Sequence, residues 1–99
     1  MKIGRKDVMF DTRNVLYFEA DSMYCTIHFE SGKTRIYARG LAYIQRLITD
    51  SSFVRIHQKY LVKFDAICAI CPTEVHLSNN AILPVSRRNK KNLQSWKRY

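Results

Sequence analysis

Acidic residues are scarce in this chain: 8 Asp and Glu stand against 17 Lys and Arg over 99 residues, a formal net charge of +9. That excess on so small a surface directs the search for a partner toward polyanions, nucleic acid first and an acidic membrane surface second. Glycine and proline are also sparse, 3 and 2 residues, and 46% of the chain is hydrophobic. This excludes collagen-like, low-complexity and disordered classes. The three cysteines are an odd number that builds no disulfide framework. The first six residues, MKIGRK, lack the apolar core of a secretion signal. A reducing cytoplasm is therefore the expected location. The longest apolar run, residues 66–71, falls far short of the roughly 18 residues a membrane span needs, so no membrane partner is expected. The length is one domain's worth, and residues 1–99 are expected to form a single domain.

Where apolar residues do occur, they mostly alternate with polar ones and are broken at close intervals, which predicts short strands. Residues 2–10 read as an edge-like strand, and residues 15–20 as a strand buried on both faces. Over residues 24–29, Cys25, Ile27 and Phe29 share one face and Tyr24, Thr26 and His28 the other. Ser31 and Gly32 reverse the chain into a returning strand over residues 33–38, so this region is a hairpin. After Gly40 the spacing of Leu41, Ile44, Leu47 and Ile48 turns helical, with Gln45 and Arg46 toward solvent, and the helix is expected to end near Thr49. Extended segments resume at 53–56, 60–62, 66–71, 74–77 and 81–84, with Asn79 and Asn80 as a turn. A short C-terminal helix is expected from Ser86, its N-cap, with Leu93 and Trp96 as apolar contacts. The fold class is mainly β, with small antiparallel sheets, one amphipathic helix and that short C-terminal helix.

Catalytic and metal motifs are weak or missing. Cys68 and Cys71 form a CxxC, the spacing of zinc or redox pairs elsewhere, but a second CxxC is lacking. Residues three apart on a strand also point to opposite faces. Both thiols are accordingly expected to be small core residues, with no metal and no cofactor. His28, His57 and His76 belong to no ordered Cys, His and Asn/Asp signature, and no GxGxxG, P-loop or calcium loop occurs. The chain is not expected to be an enzyme.

The basic residues are placed more tellingly. Residues 1–50 carry 8 bases against 6 acids, whereas residues 51–99 carry 9 against 2. Six bases and no acid lie between Ser86 and Arg98. A solvated tail would account for that run alone, but not for the second cluster at Arg55, His57, Lys59 and Lys63. Arg55, His57 and Lys59 recur at period 2 and share a face if the strand stays extended, with Gln58 projecting differently at its end. Ser86, Arg87, Arg88, Asn89, Lys90 and Lys91 follow Pro84 at a strand end. Phosphate contacts are therefore expected from Arg55, His57, Lys59, Ser86, Arg87, Asn89, Lys90 and Lys91. Arg, Asn and Gln are the types suited to bidentate bonds with base edges.

The block from Phe53 through Arg55, Ile56, His57, Tyr60, Leu61 and Val62 is followed by Pro84, Val85, Ser86 and Arg87. With Phe18, Glu19 and Ala20 upstream and a helix after Gly40, it resembles the LytTR DNA-binding domain of bacterial transcription regulators over almost the whole chain. The resemblance implies an elongated stack of small antiparallel sheets and loops that read successive major grooves of double-stranded DNA from one face. Carried over by position, base contacts fall at Met23 and Tyr24, at Gln58 and at Arg88. Lys63 stands where the family commonly has Asn, a difference that bears on sequence preference. Members usually follow a receiver or sensor domain, so the resemblance implies a response regulator of a two-component system whose receiver is not within these 99 residues. No dimerisation heptad is visible. Homodimers are expected to form on DNA, on half-sites spaced by whole turns. Two other readings stay open. An RNA or single-strand binding β module would stack bases on Tyr24 and Tyr37, and a small metal or redox protein would use Cys68 and Cys71.

Overall fold

The polar run Arg5, Lys6 and Asp7 interrupts the apolar pattern at the start of the chain. Two short strands form there instead of the single strand expected over residues 2–10. β1 (Lys2–Arg5) and β2 (Val8–Asp11) make an antiparallel pair of their own, Lys2 opposite Asp11 and Arg5 opposite Val8. The computed structural model describes residues 2–5, 8–48, 51–94 and 96. The expected helix end at Thr49 and the basic residues Lys97 and Arg98 lie outside them.

After a single 3-10 turn at Thr12–Asn14, β3 (Val15–Asp21) opens with four consecutive buried residues, a pattern that needs cover on both faces. It receives that cover at the centre of a five-stranded antiparallel sheet. β4 (Tyr24–Phe29) and β5 (Thr34–Tyr37) lie on one side of it. The α1 helix (Leu41–Leu47) follows, then β6 (Phe53–His57) and β7 (Tyr60–Lys63) on the other side, in the order β5-β4-β3-β7-β6. One face packs Val15, Phe18, Cys25, Ile27, Tyr37 and Leu61 under Leu41 and Ile44 of α1. The opposite face presents Leu16, Tyr17, Val54, Ile56 and Val62 to a second sheet. A bulge between Val15 and Tyr17 lets the successive residues Leu16 and Tyr17 join the same core. The hairpin at Ser31 and Gly32 is as expected: Phe29 N–H donates to Lys33 O at 3.0 Å, and Gly32 sits at φ +88°, where a side chain would be strained.

The second sheet is built from β8 (Ile67–Ile70), β9 (Glu74–Leu77) and β10 (Ile82–Pro84), in the order β10-β9-β8. Ile67, Val75, Leu77 and Leu83 face the core. The β9–β10 turn closes through Leu77 N–H to Ala81 O at 2.9 Å, with Asn80 at φ +72°, a conformation asparagine tolerates better than most residues. The cysteines correct an expectation. Cys68 is exposed and Cys71 half-buried, because Ile67 and Ile70 fill the inward places on β8 and a register shift between Ile67 and Ala69 breaks the alternation. Only Cys25 is a core thiol, fully buried.

The expected helix from Ser86 is a second correction. Residues 87–89 turn, and a single 3-10 stretch covers Lys90–Leu93. Arg87, Arg88, Lys90 and Lys91 offer a helix no oppositely charged partners at i+3 or i+4. Asn89 and Asn92 spend their amides on other groups. The apolar contacts are in place even so, Leu93 buried and Trp96 packed against the same core as Leu16. The molecule measures 39 × 25 × 22 Å, and no helix among the described residues is long and apolar enough to cross a membrane.

Two measurements test this packing. Ile56→Ala removes a fully buried side chain and should cost about 2–5 kcal/mol in urea unfolding, whereas Ile36→Ala, at a side chain 71% exposed, should stay within about 0.5 kcal/mol. Equal losses would mean that the two faces are wrongly assigned. In native alkylation followed by mass spectrometry, Cys68 should react first and Cys25 last, because burial pushes the Cys25 thiol up to about 11. Early labelling of Cys25 would contradict the fold.

Candidate nucleic-acid interface

Antiparallel pairing brings two of the sequence-selected turns to one end of the five-stranded sheet. Asp21 pairs with Tyr24, so Ser22 and Met23 form the β3–β4 turn. The first of them takes φ +58°, a left-handed conformation that is uncommon for serine. Glu19 pairs with Tyr60, and Ala20 N–H donates to Lys59 O at 2.8 Å, so the turn at Gln58 and Lys59 lies beside the same strand end. Met23 is 75% exposed, and Tyr24 and Gln58 are also exposed.

The third segment arrives across the edge strand β6. Ser86 N–H donates to Ile56 O at 2.9 Å, and Asn92 Nδ2 donates to Arg55 O at 2.9 Å. Residues 86–92 are thereby laid along β6, next to the turn at Gln58. Ser86 and Asn89 close the turn on each other: Asn89 Nδ2 donates to Ser86 Oγ at 2.8 Å, and Asn92 Nδ2 to Asn89 Oδ1 at 3.1 Å. Arg87, Arg88, Lys90 and Lys91 are exposed, and among the described residues no carboxylate pairs with any of them.

Arg55 and Lys59 are arranged differently. β6 does not stay extended through residue 59; it ends at His57, with a register shift between Arg55 and His57. Arg55 turns its fork inward: Nε donates to His57 O at 2.8 Å, Nη2 to Gln58 O at 2.5 Å and Nη1 to Gln45 Oε1 at 2.8 Å. Burial lowers the pKa of this guanidinium from its ordinary value. His57 Nδ1 accepts from Lys59 N–H at 3.0 Å, and Lys59 Nζ lies 3.4 Å from Glu19 Oε2. Glu19 also meets His28 Nε2 at 2.9 Å. Glu19 and Asp21 leave the β3–β4 side less cationic than the 86–91 side.

Sequence reasoning missed Gln45, Asn92 and Glu19 as positioning residues. Their partners lie 10, 37 and 40 residues away, Glu19 having its ion pair with Lys59, and no local pattern signals such contacts. Tyr37 is buried in the core beneath α1, so it offers no face for a stacked base and weakens the single-strand reading.

The profile of the LytTr DNA-binding domain matches residues 5–98. The chain belongs to the LytTR family. That is a family of DNA-binding domains rather than of enzymes, and the match includes all three segments of the interface. Among solved structures, this LytTR chain is similar to the LytTr DNA-binding domain of a protein from Bacillus cereus described as a methyl-accepting/DNA response regulator. The two are 23% identical, with 92% of this chain and 89% of that chain covered and a TM-score of 0.77, which shows a shared fold. No curated protein sequence matches significantly.

The inward fork of Arg55 is directly testable. Arg55→Lys keeps the charge, but one ammonium cannot span three separate oxygens. It should cost about 1 kcal/mol in urea unfolding and speed amide exchange at Lys59 and Tyr60. Unchanged exchange at those amides would show that the turn is held by other means.

Proposed function

We propose that this LytTR domain is a sequence-specific reader of double-stranded DNA in a bacterial response regulator, working in the cytoplasm where bacterial DNA lies. The observation that carries the reading is the gathering of the turns at Met23 and Gln58 with the 86–91 segment at one end of one sheet. In this reading Met23, Tyr24, Gln58 and Arg88 contact base edges. Met23 is apolar and suits a thymine methyl, Gln58 an adenine, and the fork of Arg88 a guanine. Lys59, Arg87, Lys90 and Lys91 hold phosphates, with His57 beside them. Arg55, Ser86 and Asn89 support this grip chiefly by bracing the turns that carry the others.

In this reading one domain of this size, touching one face, covers about one turn of DNA. Target sites in this reading are repeats about 10 to 10.5 base pairs apart, bound by two copies that pair on DNA. The receiver or sensor that controls binding belongs to a part of the regulator outside these 99 residues.

Selection from random duplexes supplies the cognate site, and substitutions then separate reading from holding. Arg88→Ala and Gln58→Ala should each weaken the cognate duplex by about 1–3 kcal/mol, at different base positions, and barely change random duplex. Lys91→Ala and Lys59→Ala should weaken both duplexes alike, each making the log-log salt slope shallower by about 1 from a starting value of roughly −4 to −5. Equal losses on cognate and random DNA for Arg88→Ala would make Arg88 a phosphate clamp. A slope near zero would remove the electrostatic basis of the proposal.

A further inference from the structure

The second sheet has an outer face that the DNA-binding reading leaves unused. On β9, Val75 and Leu77 point into the core, so Glu74 and His76 point away from it. Cys71 N–H donates to Glu74 O at 2.8 Å and closes the β8–β9 turn, which sets Cys71 across from Glu74. His76 Nε2 lies 2.6 Å from Glu74 Oε2. One ligand atom from each of Cys71, Glu74 and His76 can be chosen so that all three lie within 4.8 Å of one another.

We propose that Cys71, Glu74 and His76 form a binding site for a zinc-class divalent cation, on the second sheet beside the depression that Cys71 lines with Lys90 and Lys91. A thiolate, an imidazole and a carboxylate are the donor types that zinc takes, and three protein ligands with one water complete a tetrahedron. Bonds of about 2.0 to 2.3 Å hold the ligand atoms of such a site about 3.3 to 3.8 Å apart. The ligand atoms lie within 4.8 Å of one another, and the Cys71 N–H to Glu74 O bond across Pro72 and Thr73 holds the backbones together. The Glu74 and His76 side chains are each 39% exposed, which leaves the ion an entry path and room for its water. The turn is braced from outside as well, since Val85 N–H donates to Thr73 O at 2.9 Å. The ligand pairing differs from the CxxC of the sequence: Cys71 finds its partners on the neighbouring strand, and Cys68 takes no part. Binding releases the thiol proton and any proton on the imidazole, so affinity should fall as the pH is lowered.

Titrating the reduced 99-residue chain with Co²⁺ tests the site by absorption. Saturation is expected at one equivalent, with a near-ultraviolet thiolate-to-cobalt charge-transfer band and the intense visible bands of a tetrahedral ion. Zn²⁺ should displace the cobalt. Cys71→Ser should abolish the charge-transfer band. His76→Ala and Glu74→Gln should each weaken binding about 10- to 100-fold, and Cys68→Ser and Cys25→Ser should leave it unchanged. Far-ultraviolet circular dichroism of each variant reports folding, and the histidine and glutamate variants carry the test should Cys71→Ser fold poorly. No saturable cobalt binding, a charge-transfer band that survives Cys71→Ser, or one that is lost in Cys68→Ser would each overturn the proposal.

Discussion

Strand β3 is buried on both faces, and the placement of the turns at Met23 and Gln58 follows from that constraint. Phe18 packs beneath α1 while Tyr17, its neighbour in sequence, packs against the second sheet. A one-residue slip of β7 along β3 would exchange Leu61 and Val62 between the two cores. Two dry faces therefore fix the register, and the register fixes where the chain reverses. The turns at Met23 and Gln58 are held by packing that lies well behind them.

The basic segment is positioned by polar contacts instead. Its four exposed cations repel one another and have no carboxylate partners among the described residues. They remain together because Ser86 and Asn92 bond to the backbone of β6 and Leu93 is buried in the core behind them. Exposed positive charge gathered in this way favours a polyanion, whose condensed counterions are released on binding. Arg55 spends its charge within the protein, tying α1, β6 and the Gln58 turn together.

Much of the fold was legible because short antiparallel strands carry their own period. The hairpins at Gly32 and Asn80 and the helix after Gly40 follow from spacing and turn chemistry, and of the residues 15–20 read as buried on both faces, 15–18 are buried. Residues 2–10 were read as one strand because a polar interruption of three residues is a weak break in an alternating pattern. The segment after Ser86 was read as a helix because its capping serine is present. That serine closes a turn instead, where like charges and two asparagines withhold support from an α-helix. Cys68 and Cys71 were read as core residues because cysteine is usually buried. Their actual exposure follows from a bulge that alternation along one strand cannot reveal.

The sequence by itself determined that this is a small, basic, mainly β domain, and its paired blocks around Arg55 and Ser86 pointed to the LytTR family. These are properties of composition and of local period, which a linear chain carries openly. Only the tertiary structure decided that Arg55 faces inward, that residues 86–92 lie along β6, and that Cys71 meets Glu74 and His76 across a turn. Those contacts depend on strand register and on which core each face enters. Both are set by burial between residues distant in sequence, which no local pattern encodes.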